Sequence, residues 1–291
     1  MKIYLTEPVS DILINYINKN HTLTTVLYDS DIAIVRNKSI TEDDLNKTNK
    51  LKLVAVHGTG YNMVDIKACT KRGIKVFNTP NLNTNAVAEL NVMLMLMLSR
   101  RYEEVKSSRI LGDMAYLGQE IKNKTVGFIG VGNIAKRTAE ILKGFNCNMI
   151  GYNRTKKESP IPLYPFDYVL ENSDYILISI ALNNDTEGMI NKTVFDKLKR
   201  KPYLINSARG AIINNDDLYE ALVTNKIKGF GADVYYPEPI DINSPLLKEN
   251  VIILPHIGAN TKEALDVMAE NIIKGINSYI NNEEIENLLE S

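Results

Sequence analysis

Three short segments of this 291-residue chain carry side chains suited to holding an acid and moving a proton. They are Ile205-Asn206-Ser207-Ala208-Arg209-Gly210, Ala232-Asp233-Val234-Tyr235-Tyr236-Pro237-Glu238-Pro239 and Leu254-Pro255-His256-Ile257-Gly258-Ala259. Arg209 offers a permanently charged planar fork that matches a carboxylate and would stabilise negative charge growing on a carbonyl oxygen. Histidine as a residue type titrates near neutrality, and an adjacent carboxylate favours its charged form, which suits His256 and Glu238 to acid/base work. Such a pair gives a proton to a keto oxygen in one direction and takes it back in the other. Each residue alone has a plainer reading: Arg209 as a surface charge, Glu238 between two prolines as a solvated turn, His256 as a strand-end filler. Their order favours chemistry, because each follows an apolar run, and open α/β sheets bind ligands at strand carboxyl ends.

A fourth segment precedes them. After the apolar run Val126–Ile129 the chain reads Gly130-Val131-Gly132-Asn133-Ile134-Ala135 and enters an amphipathic stretch to Lys143, a G-x-G-x-x-A between strand and helix. Gly130 makes the tight turn and Gly132 lets backbone approach a pyrophosphate. Ala135 packs helix on strand, with the helix N-terminus facing the phosphates. The plainer alternative is a glycine turn of no special purpose. NAD-selective sites carry an Asp or Glu at the end of the next strand, whereas Tyr152 is followed here by Asn153-Arg154-Thr155. Asn153 cannot repel a 2′-phosphate, and Arg154 and Thr155 can donate to one, so NADP(H) is expected ahead of NAD(H). The competing reading is a solvated turn that tolerates either.

The elements that must position these groups alternate along the chain. Apolar runs at Ile3–Leu5, Ile32–Val35, Leu53–Val56 and Lys75–Phe77 are interleaved with helical stretches in the first third. A second series follows at Val126–Ile129, Asn148–Tyr152, Tyr175–Ile180, Tyr203–Asn206, Phe230–Asp233 and Val251–Leu254. Between the two series, Asn78-Thr79-Pro80-Asn81 breaks the pattern and a helix of at least fifteen residues starts near Thr84, the expected hinge. Its Met93–Leu98 run reads as core or dimer interface rather than a soft-metal surface. Thr261 to Ile280 has apolar residues at helical spacing and is expected to return to the first lobe.

Composition narrows the field. Apolar residues are 44% and charged residues 24%, as in soluble globular proteins, and 34 basic against 35 acidic residues leave a formal charge of -1. No broad field attracts nucleic acid, and the Leu90–Leu98 run is too short to span a membrane. Only Cys69 and Cys147 are present, without C-x-x-C spacing, and the N-terminus lacks a signal-peptide core, so a reducing cytoplasmic setting is expected. No His, Cys or Asp cluster has metal-ligand spacing, and no metal is expected.

The order Arg, Glu, His in N-x-A-R-G, D-V-x-x-x-E-P and P-H-I-G resembles the D-isomer-specific 2-hydroxyacid dehydrogenases, the family of D-lactate, glycerate, glyoxylate/hydroxypyruvate and 3-phosphoglycerate dehydrogenases. The likeness spans nearly the whole chain: Gly58-Thr59-Gly60-Tyr61-Asn62-Met63-Val64-Asp65 resembles the family's substrate loop, and Asn78-Thr79-Pro80 with Val87-Ala88-Glu89 its hinge entry. The resemblance implies an α/β fold of two doubly wound parallel-sheet domains. A Rossmann cofactor domain, 93–260, is inserted into a smaller flavodoxin-like substrate domain, 1–92 plus 261–291. It implies that Arg209 binds the substrate carboxylate, that His256 is the acid/base, and that Glu238 orients the imidazole. Thr59 and Gly60 would add backbone N–H groups to the carboxylate clamp, and Asp233 would contact the nicotinamide amide. Asn133, Ile134, Val87 and Ala208 would join Gly130, Gly132, Asn153, Arg154 and Thr155 around the cofactor. His57, just before the substrate loop, either touches substrate or fills a strand end.

Two departures stand out: Ser179-Ile180-Ala181-Leu182 replaces a common His-x-Pro-Leu, and Arg100 to Lys124 is shorter than expected. The expected activity is reduction of glyoxylate or hydroxypyruvate by a homodimer. Arg36 and Lys38 at a strand end could instead receive a substrate phosphate, which keeps D-3-phosphoglycerate as the alternative. A dinucleotide-sensing binding protein is the alternative of another class.

Overall fold

A computed structural model of the chain describes residues 1–106, 108–155 and 158–290. The chain divides into two compact units, Met1–Asn83 with Ala259–Ser291, and Thr84–Gly258. Each is built on one all-parallel sheet flanked by helices, the expected fold class.

The first unit holds β1 (Lys2–Tyr4), β2 (Thr22–Thr24), β3 (Ile32–Val35), β4 (Leu53–Val56) and β5 (Lys75–Asn78) in the order β2-β1-β3-β4-β5. The continuous apolar runs of β3 and β4 are explained by burial on both faces, the rule for parallel sheets. Ile32, Ile34, Leu53 and Ala55 face one core with Leu13, Ile17, Ile272 and Ile276. Ala33, Val35, Val54 and Val56 face the other with Leu45, Ala68 and Cys69. The sequence pattern misses β2, because Thr22-Leu23-Thr24 lies at the sheet edge, is largely exposed and needs no apolar run.

The helix Lys262–Ile280 starts after Thr261, whose hydroxyl accepts the Ala264 N–H at 3.2 Å. Ala269, Ile272 and Ile276 bury in the first unit's core, which makes that unit discontinuous. Deleting such a side chain, as in Ile272→Ala, costs about 2–5 kcal/mol at a fully buried site.

The second unit holds β6 (Thr125–Ile129), β7 (Asn148–Tyr152), β8 (Tyr175–Ile178), β9 (Tyr203–Asn206), β10 (Gly229–Ala232) and β11 (Val251–Ile253), in the order β11-β10-β9-β8-β6-β7. One face packs on the helices Thr84–Ser99 and Asn133–Leu142 through Val126, Phe128, Leu177 and Ile205. The other packs on Phe166–Asn172, Lys192–Asp196 and Asn215–Val223 through Ile129, Ile176, Ile178 and Leu204.

The first boundary falls at 83/84 rather than at the expected 92/93. Thr84–Ser99 is one unbroken helix, and its Leu90, Val92, Leu94, Met95 and Leu98 all enter the second unit's core, so no division can fall inside it. Of the methionine-leucine run, Leu94, Met95 and Leu98 are core, Leu96 and Met97 pack partly buried against it, and Met93 is exposed. The second boundary falls at 258/259 rather than at 260/261, because the Gly258 N–H is bonded to Asp233 in the second unit.

Candidate active site

Strands β9, β10 and β11 are parallel neighbours, so the three motif segments that follow them leave the sheet at one edge. Asn206, fully buried at the end of β9, bends the chain back: its side-chain oxygen accepts the Ala208 N–H at 3.0 Å, and its amide donates to the Arg209 carbonyl at 2.9 Å. Gly210 then lies against the Tyr235 backbone, where a Cβ would come within 2.1 Å, so only glycine fits. The Arg209 guanidinium is half-buried and donates to the Ala208 carbonyl at 2.6 Å. Burial lowers its pKa from the ordinary value while the Glu238 carboxylate acts the other way.

Glu238 and His256 meet directly. The Nδ1 of His256 and Oε2 of Glu238 are 2.9 Å apart, and Oε1 of Glu238 accepts the Tyr235 N–H at 3.0 Å. Burial pushes the Glu238 carboxyl up, but His256, the Tyr235 N–H and Arg209 outweigh it and leave the pKa below the usual value. The acid therefore stays ionised beside the imidazole, a geometry in which Nδ1–H donates to Glu238 and Nε2 is turned to other work. The His256 side chain remains 30% exposed. Its φ of 55° is a left-handed conformation costing a β-carbon residue on the order of 1 kcal/mol, the kind of strain that clusters at functional sites.

Asp233 holds that conformation. Its carbonyl accepts the His256 N–H at 3.0 Å, and its two carboxylate oxygens accept the Ile257 and Gly258 N–H groups at 2.7 and 2.6 Å. Burial raises its pKa, while these two donors act in the opposite sense. The resemblance assigns Asp233 to the cofactor; the structure adds that its carboxylate clamps the loop carrying His256.

At the end of β6, Gly130 takes φ +90° and lies so close to the neighbouring chain that a Cβ would be 2.6 Å from the Ser179 carbonyl oxygen. Gly132 is the residue before the helix Asn133–Leu142, and a Cβ there would point into open space, leaving the first helical turn accessible. Ala135 is fully buried against the sheet. Asn153 at the end of β7 accepts the Val131 N–H at 2.7 Å and so pins the glycine loop. The geometry fits a dinucleotide whose pyrophosphate meets the helix N-terminus. Asn133, Ile134 and Ala208 lie at this edge with at least part of their surface open, whereas Val87 is buried beside Gly258. Arg154 and Thr155 are exposed, and Arg154 pairs with Asp185 at 2.8 Å.

In the first unit, the carboxyl edge carries His57, Thr59 and Gly60 after β4. His57 is 3% exposed, with neither ring nitrogen bonded among the described residues. Burial first, then Arg36, pull its pKa to about 4. The Thr59 hydroxyl donates to Asn83 at 3.0 Å and accepts the Asn81 N–H, and its carbonyl accepts the Asn78 amide at 2.7 Å, which fixes the loop. No acceptor among the described residues takes the Thr59 or Gly60 N–H. Arg36 and Lys38 are engaged elsewhere: Arg36 donates to the Pro8 carbonyl and to Asn260, and the Lys38 ammonium stands over the Tyr4 ring. Asn206, Glu7 and Asp185 went unremarked in the sequence; the N in N-x-A-R-G was the one available signal. Among the described residues no helix is long and apolar enough to cross a membrane, and no cluster of His, Cys, Asp or Glu could hold a metal ion.

Residues 92–258 match the family model described as D-isomer specific 2-hydroxyacid dehydrogenase, NAD binding domain. A glyoxylate reductase of Thermococcus litoralis is 34% identical over 277 residues, 90% of this chain and 83% of the relative. Among solved structures, an acyclic imino acid reductase (Bsp5) in complex with NADPH and D-Arg superposes with a TM-score of 0.87 at 29% identity, over 99% of this chain and all of that one. An NAD-dependent formate dehydrogenase from Staphylococcus aureus in complex with NAD gives 0.88 at 26% identity, over all of this chain and 99% of that one. The chain belongs to the D-isomer specific 2-hydroxyacid dehydrogenase family, and it is an oxidoreductase with an NAD-binding domain.

Proposed function

We propose that this member of the family reduces glyoxylate or hydroxypyruvate, with NADPH preferred over NADH. The observation that carries the reading is the 2.9 Å contact between His256 and Glu238 at the strand edge that also presents Arg209. Bound nicotinamide supplies the hydride. Arg209 holds the substrate carboxylate with its fork and stabilises charge growing on the keto oxygen. His256, doubly protonated beside ionised Glu238, donates its Nε2 proton to that oxygen and stays hydrogen-bonded through Nδ1. In oxidation the neutral imidazole takes the proton back. Within the first unit, the Thr59 and Gly60 N–H groups have no acceptor among the described residues and are available to a carboxylate, and His57 serves as a packing residue at that loop rather than as a second acid.

The cofactor preference rests on the turn after β7. Asn153 brings no negative charge to the ribose, and the exposed Arg154–Asp185 pair is worth at most about 1 kcal/mol, so a 2′-phosphate can take the guanidinium from Asp185. A homodimer is supported by Ile110, Leu111, Met114 and Leu117, four strongly exposed apolar side chains within one short segment. The free buried thiols Cys69 and Cys147 suit a reducing cytoplasm.

The test is the loss of reduced-nicotinamide absorbance with NADPH or NADH against glyoxylate, hydroxypyruvate, pyruvate and 3-phosphohydroxypyruvate. Turnover of the first two, fastest with NADPH, is expected. Dinucleotide binding without turnover of any acid would replace this reading with a sensor.

A further inference from the structure

We propose that the second unit carries a ligand site apart from its strand-end residues: a groove along the helix Asn133–Leu142 that takes a fatty-acid-like amphiphile, a carboxylate on an alkyl body.

The groove follows from a missing cover. After β7 the chain returns through Pro160-Ile161-Pro162 and lies alongside that strand, where the Gly151 N–H donates to the Pro162 carbonyl at 2.9 Å and the Tyr164 N–H to the Gly151 carbonyl at 2.8 Å. It gets there without any helix among the described residues between Tyr152 and Phe166. The sheet is therefore left open at this edge, beside Asn133–Leu142. A cavity of about 630 Å³ remains there, a size usual for small-molecule sites. Ten helical residues give it a length of about 15 Å, room for a chain such as decanoate.

The two walls differ in chemistry. On the helix, Lys136, Glu140 and Lys143 recur at helical spacing and share a face, with Arg137 beside them. Glu140, the one carboxylate in the lining, is taken by Arg137 at 2.6 Å. Lys136 is half-buried and Lys143 exposed, and neither ammonium has a hydrogen-bond or ion-pair partner among the described residues. Two unpaired positive charges thus line one cavity in a chain whose formal charge is -1. The facing wall, Met149, Pro160, Ile161 and Pro162, is apolar. Pro160 and Pro162 bring no N–H, so a peptide strand is poorly suited to pair with this edge. An occupant that satisfies both walls has an anionic head for the lysines and an apolar body for Met149 and Ile161. A small keto acid lacks the body, and a hydrocarbon lacks the head.

The groove also leads away from the strand ends. The dinucleotide fits the carboxyl edge of the sheet, whereas the groove runs down the helix to Lys143 and to Cys147 and Asn148 at the amino end of β7. Of the residues expected around the cofactor, Asn133 alone lines it.

The experiment is equilibrium dialysis of radiolabelled decanoate against the full chain, with and without saturating NADPH or NADH. The same measurement is made on Lys136→Glu with Lys143→Glu, its fold checked by circular dichroism. One site per chain with a Kd of about 100 µM or tighter is expected, retained with dinucleotide present and weakened at least about tenfold in the double variant. Butanoate, which lacks the body, and decan-1-ol, which lacks the charge, should each compete at least about tenfold more weakly than decanoate. Lys136→Ala with Lys143→Ala carries the comparison if the charge-reversed variant does not fold. Absence of decanoate binding, its displacement by dinucleotide, or equal affinity in the double variant overturns the proposal. So does a double variant that binds no less decanoate but dissociates an oligomer in sedimentation, which would make the groove a contact between copies of the chain.

Discussion

His57 and His256 occupy the same topological place in two sheets, each just beyond the carboxyl end of a parallel strand, and they sit in opposite surroundings. His57 follows β4, is buried, has no bonded ring nitrogen among the described residues and is kept neutral, with a pKa of about 4. His256 follows β11, keeps part of its ring in solvent, is tied to Glu238 through Nδ1 and sits on a left-handed backbone clamped by Asp233. Residue type and strand-end position do not make an acid. Solvent access and a partnered carboxylate do, because both charge states must be affordable for a proton to be exchanged.

The largest expected effect breaks or confirms this contrast. His256→Gln should lower kcat by about 10²–10⁴-fold with dinucleotide still bound, and His57→Gln by less than about tenfold. Equal losses in steady-state assays would mean that the two histidines share the proton transfer.

The second concerns stability. Because folding lowers the His57 pKa to about 4 from 6.5, the unfolded chain binds a proton in that window that the native chain refuses. Stability should therefore fall as pH drops from about 6.5 to about 4, by on the order of 3 kcal/mol from this group, and level off below. Denaturant titrations of His57→Gln should show that this slope is gone; an unchanged slope would mean that the ring is solvated in the native state.

Third, Glu238→Gln removes the carboxylate that holds the His256 ring through Nδ1. The reductive rate should fall by roughly 10-fold to 100-fold in steady-state assays. A rate within about twofold of the wild type would show that the Glu238–His256 contact has no part in the reaction.

The smallest effect lies at the exposed extreme. Arg154→Ala should reduce the preference for NADPH over NADH by roughly threefold to tenfold, as suits a solvent-screened contact, and an unchanged ratio would refute the NADPH reading.

Much of the frame was legible. The runs Ile32–Val35 and Leu53–Val56 announced buried parallel strands, and Gly130-x-Gly132 followed by an amphipathic stretch announced the strand-turn-helix. The edge strand Thr22–Thr24 was not legible, since an exposed strand carries no apolar signature. Arg36 and Lys38 read as phosphate ligands because their charge is visible in sequence and their partners are not: Glu7, which fills the turn they flank, lies 29 residues before Arg36. Asp233 read as a cofactor contact, and its grip on the His256 loop depends on amides 24 and 25 residues away.

The sequence by itself determined two parallel-sheet units and which ionisable groups stand at their strand ends, because apolar periodicity and glycine turns are local and set backbone course residue by residue. Only the tertiary structure decided which of those groups can act. Whether Glu238 meets His256 or Glu7 fills a turn depends on contacts between distant segments, and whether a histidine stays neutral depends on how much water the packed chain leaves it.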